Sequence, residues 1–195
     1  MPLELLTTAA GPQSVLCTQG ARGWGEHLHE RLRWQLGRHT DVVVNTGVSG
    51  WSAPDVLREQ DWVSGRFRPD VLSVSLGTND CLAGDAGLPA FREAMRKFVE
   101  GAGSRTQVVL HTPVLVSFAE RERRAAMPAY RQAVRELAAE SGALPVDHEA
   151  HRRAHHQAAD PIGWLDDPAP PNAAGQLQMA QVALRAMGLG EIELP

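Results

Sequence analysis

Val71-Leu72-Ser73-Val74-Ser75-Leu76-Gly77-Thr78-Asn79-Asp80 is a run of strand-forming residues that ends abruptly on a turn. Apolar and β-branched side chains fill the run, and Gly77 stops it with a residue suited to a sharp change of direction. Working outward, Asp41-Val42-Val43-Val44-Asn45 and Gln107-Val108-Val109-Leu110-His111 repeat that form, and Ala143-Leu144-Pro145-Val146-Asp147 is a shorter version. Amphipathic stretches separate them. Leu28, Leu32 and Leu36 recur four apart, Phe91, Met95 and Phe98 mark a second helical face, and Tyr130, Val134 and Leu137 a third. A last helix is predicted from Ala173 to Met187, with Leu177, Ala180 and Leu184 inward and Gly188 ending it. Strands alternating with helices predict a three-layer α/β domain, a central parallel sheet of about five strands covered on both faces.

Composition narrows the class. The 195 residues fit one domain spanning the whole chain, and 43% hydrophobic with 22% charged residues excludes general disorder. A net charge of −4 gives no electrostatic case for nucleic acid or an anionic membrane as partner. Two cysteines, Cys17 and Cys81, cannot build a disulfide framework and fit a reducing compartment. No apolar run is long enough to span a bilayer, and Met1-Pro2-Leu3-Glu4 lacks the features of a secretion signal. The expectation is a cytoplasmic protein with a small-molecule substrate or ligand, no cofactor and no bound metal.

In parallel sheets the reactive groups collect beyond the carboxyl ends of the strands. Here those positions are Asn45 to Gly50, Gly77 to Asp80, His111 to Pro113 and Asp147 to Glu149. Two turns stand out, Asn45-Thr46-Gly47-Val48-Ser49-Gly50 and Gly77-Thr78-Asn79-Asp80, followed much later by Asp167-Pro168-Ala169-Pro170-Pro171-Asn172 ahead of the final helix. Trp51 and Trp164 flank the same region and suit contact with an apolar substrate.

This combination, in this order, resembles the SGNH (GDSL-type) hydrolases, a family of esterases, lipases and acyl-transfer enzymes. The resemblance extends from about Trp24 to Met187 and implies the flavodoxin-like fold of that family. It also implies that Gly47 and Asn79 match the glycine and asparagine that hold a developing oxyanion, with Asp80 beside them. Acyl transfer builds negative charge on a carbonyl oxygen, and fixed N–H donors stabilise that charge. Asp167 matches the aspartate that orients the family's catalytic histidine.

Two family positions are not filled. The residue three beyond Asp167 is Pro170, which carries no side-chain nitrogen to accept a proton, and His156 is the last histidine of the chain. The Gly-Asp-Ser motif of the nucleophile is missing from the first fifty residues. Different alignments bring Ser14, Leu16, Cys17 or the Ala9-Ala10-Gly11 segment to its place, the last if Leu3 to Thr8 is the first strand. Ser14 is the only serine ahead of Ser49 and therefore the candidate for serine chemistry. His111, at a strand end, is the candidate replacement base. His148 follows Asp147, which could orient it, whereas His151, His155 and His156 read as a solvated helix face. Cys17, Cys81 and His111 form a conceivable zinc set without the spacing that would support one.

The sequence thus predicts a divergent family member with its oxyanion donors kept and its usual Ser-His pair lost. Two outcomes are open: a repurposed enzyme acting on a small carbonyl or ester metabolite, or an inactive protein that binds a ligand or partner.

Overall fold

The computed structural model describes the backbone of residues 4–9 and residues 23–114, 116–157, 159–166 and 169–192. Five parallel strands run β1 (Glu4–Ala9), β2 (Val42–Asn45), β3 (Val71–Ser75), β4 (Gln107–His111) and β5 (Leu144–Val146), in the spatial order β2-β1-β3-β4-β5. The order reverses between β1 and β3, so their carboxyl ends form the switch point at which open α/β sheets bind ligands. The expected α/β fold is the one observed. The first strand lies one residue later than Leu3 to Thr8, so the motif position after it falls at residues 10–12, outside the described residues.

Residues paired across parallel strands share a face. Ser73 pairs with Val109 and Ser75 with His111, so all four point to one side. That side is covered by α1 (Trp24–Glu30) and α7 (Ala173–Ala186), whose Trp24, Leu28, Ala180 and Leu184 pack with Val109 and Val146. Leu72, Val74 and Leu110 point the other way, against α2 (Ala53–Arg58), α4 (Gly84–Gly101) and α5 (Met127–Ser141). Phe91, Met95 and Phe98 of α4 are each 1% exposed, as their spacing predicted, and burying each stabilises the fold by about 1.5–3 kcal/mol.

One expectation about helix faces needs correction. Leu36 is 38% exposed rather than inward. After Glu30 the helix widens into a π-turn, Arg31–Gln35, in which the Leu36 N–H donates to the Arg31 carbonyl at 2.9 Å. The extra residue in that turn rotates Leu36 off the stripe set by Leu28 and Leu32. The remaining crossover elements are α3 (Gln60–Val63), between α2 and β3, and α6 (His148–His156), after β5.

Candidate active site

The turn after β3 is built around Asp80. Its Oδ1 accepts the N–H of Ala53 at 2.8 Å and its Oδ2 the N–H of Gly77 at 3.1 Å. The side chain therefore ties the third-strand turn to the start of α2, and burial pushes its carboxyl pKa above the usual value against those hydrogen bonds. Gly77 has φ +106°, and a Cβ there would meet Pro113 Cγ at 2.6 Å, so only glycine fits. From below the turn, Arg124 donates to the Thr78 carbonyl and pairs with Glu120 at 2.9 Å.

Asn79 reaches across to the other turn, its Nδ2 donating to the Trp51 carbonyl at 2.9 Å. That bond uses one amide hydrogen and leaves the second for another acceptor. The turn after β2 is anchored by Thr46, whose hydroxyl donates to the Val63 carbonyl at 2.9 Å. Gly47 behaves differently from expectation: its N–H already donates to Asn45 Oδ1 at 3.0 Å, the signature of an Asx turn. Gly50, three residues on, is exposed with φ +86°, and its N–H has no partner among the described residues. It adjoins Trp51, the residue Asn79 holds. Gly50 lies in the strand-end turn Asn45 to Gly50 that the sequence singles out, though the family resemblance pointed to Gly47.

His111 is not where the sequence suggested. Instead of facing an open crevice it is 0% exposed beneath Trp24, the ring centroids 4.9 Å apart. Its Nε2 lies 2.7 Å from Ser73 Oγ and its Nδ1 2.9 Å from His148 Nε2. Burial holds both imidazoles below the ordinary histidine range, His148 at about 3, with His148 a second cause for His111 and His151 a second cause for His148. A fully buried ring with both nitrogens engaged cannot collect a proton from a substrate hydroxyl. The physical reason is register: position 111 shares the inner face with Ser73 and Ser75, which α1 and α7 cover.

Asp147 does not orient His148 either. It caps α6, accepting from the Ala150 N–H at 3.0 Å, and pairs with Arg135 at 2.8 Å. The expected solvated face of α6 is also partly covered: His151, His155 and His156 surround Trp164, with centroids 5.7, 5.5 and 4.2 Å from it.

The approach to α7 is a pinned loop. Leu165 and Pro171 form an antiparallel bridge, the Asp166 N–H donates to the Pro170 carbonyl at 3.0 Å, and Asn172 caps the helix through the Gly175 N–H at 3.0 Å. Asn172 thus serves the helix start. Asp167, Ser14, Leu16, Cys17 and the Ala10-Gly11 segment lie outside the described residues. Cys81 is 1% exposed, its thiol donates to the Thr78 carbonyl at 3.2 Å, and burial raises its pKa, the environment of an unreactive thiol. Among the described residues no cluster of three metal-ligating side chains occurs, and no helix is long and apolar enough to cross a membrane.

Comparison with known proteins gives the frame for this geometry. An acetylxylan esterase from Geobacillus stearothermophilus superimposes with TM-score 0.80 at 20% identity, covering 99% of this chain and 100% of its own. A catalytic mutant of it superimposes at 0.84 and 20% identity, covering 100% and 99%. A protein from Parabacteroides merdae described as a GDSL-like lipase gives 0.82 at 18% identity, covering 96% and 97%. Identities this low establish the shared fold. No curated protein matches the sequence at a significant level. The model of the GDSL-like lipase/acylhydrolase family matches residues 7–177, most of the chain. The chain is a member of that family.

Proposed function

We propose that this chain polarises the carbonyl of a small ester or acyl-bearing metabolite, and that it does so without an ordinary Ser-His pair. The observation that carries this reading is the bracing of the two turns against each other. Asp80 fixes Ala53 and Gly77, and Asn79 grips Trp51, so Asn79 Nδ2 and the N–H groups of the Gly47–Gly50 turn are held in place before substrate arrives. Donors that need no reorganisation are what an oxyanion requires. The N–H of Gly50, without a partner among the described residues, suits the backbone donor better than that of Gly47, which Asn45 occupies. Trp51 and exposed Trp62, 6.2 Å apart between centroids, offer an apolar rim beside Asn79 for the rest of the substrate.

The missing general base supports the second half. The structurally similar esterase has catalytic mutants at a serine, an aspartate and a histidine three positions beyond that aspartate. At the same spacing this chain has Asp167 and then Pro170. His111 is bonded elsewhere, so proton transfer falls to a carboxylate, Asp167, or to substrate itself, with Ser14 the only serine ahead of Ser49 in the sequence. The acyl-transfer or proton-transfer chemistry of such a site needs no cofactor. Cys81, free and buried, accords with a reducing, cytoplasmic setting. The esterase comparison suggests acetylated sugars as first substrates to try.

The alternative is an inactive family member that binds a ligand, and the occupied N–H of Gly47 favours it. Assay with acetylated xylose, wild type against Asn79→Ala, separates the two. Turnover that depends on Asn79 supports the enzyme reading, and none above the buffer rate removes it.

A further inference from the structure

At the end of the sheet opposite the two turns, an open cleft of about 590 Å³ lies between the loop that enters β3 and the loop that enters β4. Its two walls are fixed to each other. Thr106 Oγ1 donates to the Pro69 carbonyl at 2.8 Å, and the Gln107 N–H donates to the Asp70 carbonyl at 2.8 Å. Leu72, Pro69 and Ala102 supply the apolar part of the lining. The volume is that of a pocket for a small organic molecule.

Charge sets the class of that molecule. Arg68 lines the cleft from one wall and Arg105 from the other, and neither guanidinium has a carboxylate or other hydrogen-bond acceptor among the described residues. Arg96, by contrast, holds Glu93 and Glu100, Arg135 holds Asp147, and Arg153 holds Glu149. Asp70 is the one carboxylate among the described lining residues, and it already has an interaction of its own.

The carboxyl end of α4 meets the cleft at Gly101, yet three carbonyls of its last turn are taken. That of Phe98 accepts from Gln60 Nε2 at 3.0 Å, and those of Val99 and Glu100 accept from the Ala102 and Gly103 N–H groups at 3.2 and 3.4 Å. Little negative charge therefore opposes an anion there.

The backbone of Arg68 points the same way. Its φ of 49° and ψ of 55° lie in the left-handed region, which glycine enters freely and other residues enter at an energetic cost. Folding alone does not call for arginine at this position.

We propose that this cleft binds a small organic phosphate, its dianionic group held between Arg68 and Arg105 and its hydroxylated body against Ser104 and Thr106. A phosphate dianion has oxygens enough for two guanidinium groups. The length of β3 separates this site from the proposed cradle, and the inference does not depend on any activity there.

The test is calorimetric titration of the full chain with glucose 6-phosphate and, separately, with glucose, at about 20 mM salt. The expected result is saturable binding of the phosphate and none of glucose. Arg105→Gln and Arg68→Gly should each weaken binding about 10-fold or more, and raising salt to about 200 mM should weaken it again. Glycine suits the left-handed backbone, so Arg68→Gly should keep its melting temperature and report a lost contact rather than a lost fold. Arg121→Gln, at a guanidinium stacked on Phe118, is the control and should leave binding unchanged. Four results overturn the proposal: no saturable binding of glucose 6-phosphate, equal binding of glucose, binding that survives in Arg105→Gln, or a loss in Arg121→Gln equal to that in Arg105→Gln. These are decided without Arg68→Gly should that variant not fold.

Discussion

The Oδ1 of Asp80 accepts the Ala53 N–H at 2.8 Å across 27 positions of sequence. With its other oxygen on Gly77, this carboxylate is the joint between the two turns that define the candidate site. Asp80→Ala leaves two N–H groups unpaired, one of them at a buried helix start, and is expected to cost about 2–3 kcal/mol of stability. Urea unfolding measures it, with Asp80→Asn falling between wild type and the alanine variant. Any ester turnover should drop with it, since Asn79 and Trp51 would lose their fixed relation.

Asn79→Ala removes a side-chain donor and little packing, because the residue is half-buried. If the chain is active, kcat should fall about 100- to 1,000-fold, the loss of about 3–4 kcal/mol typical of an oxyanion donor, with KM nearly unchanged. Steady-state kinetics on the best ester found would check it, and an unchanged kcat would remove Asn79 from the cradle.

Stability should depend on pH through the buried imidazole pair. His148 has a folded-state pKa near 3 against 6.5 in an unfolded chain, and His111 shifts in the same direction. Between those values the folded protein binds fewer protons than the unfolded one, so stability is full above about pH 6.5 and lost as pH falls toward 3. Asp80, with its raised pKa, contributes a smaller change of opposite sign, lost as pH rises above the carboxylate range. Unfolding free energies at pH 7, 5.5 and 4.5 should decline by a few kcal/mol in total. His148→Gln should flatten the decline, leaving the part due to His111.

Glycine requirements should differ between the turns. Gly77→Ala meets both a positive φ and Pro113 Cγ at 2.6 Å, whereas Gly50→Ala, at φ +86°, meets open space. The first should destabilise by clearly more than the roughly 1–2 kcal/mol that the second costs through backbone strain. Thermal melts of the two variants would rank them.

Much of the scaffold was legible from periodicity. Gln107 to His111 is a strand over the expected span, and Val71 to Ser75 ends one residue early because Leu76 already belongs to the turn. Tyr130 and Val134 are buried as their spacing implied, while the π-turn displaced Leu36 because an inserted residue cannot be seen in a four-residue repeat. The site was less legible. Position at a strand end put His111 near the switch point, but the side of the sheet it faces follows from its pairing with Ser75, which no local pattern contains. Gly47 and Gly50 are equivalent as letters, and only the Asn45 side chain separates the occupied N–H from the one without a partner among the described residues. The sequence places Asp80 beside the oxyanion donors, and its role as their brace depends on Ala53, remote in the chain.

The central claim is that carbonyl-polarising donors are present while the proton acceptor of ordinary ester hydrolysis is missing. Its most direct measurement is p-nitrophenyl acetate hydrolysis by wild type and Pro170→His, alongside labelling with a serine-directed phosphonate. The account predicts wild-type turnover near the buffer rate and no labelling, with a gain of about 100-fold or more in Pro170→His from a restored general base beside Asp167. Saturable wild-type turnover abolished by Ser14→Ala, with rapid stoichiometric labelling of Ser14, would contradict it.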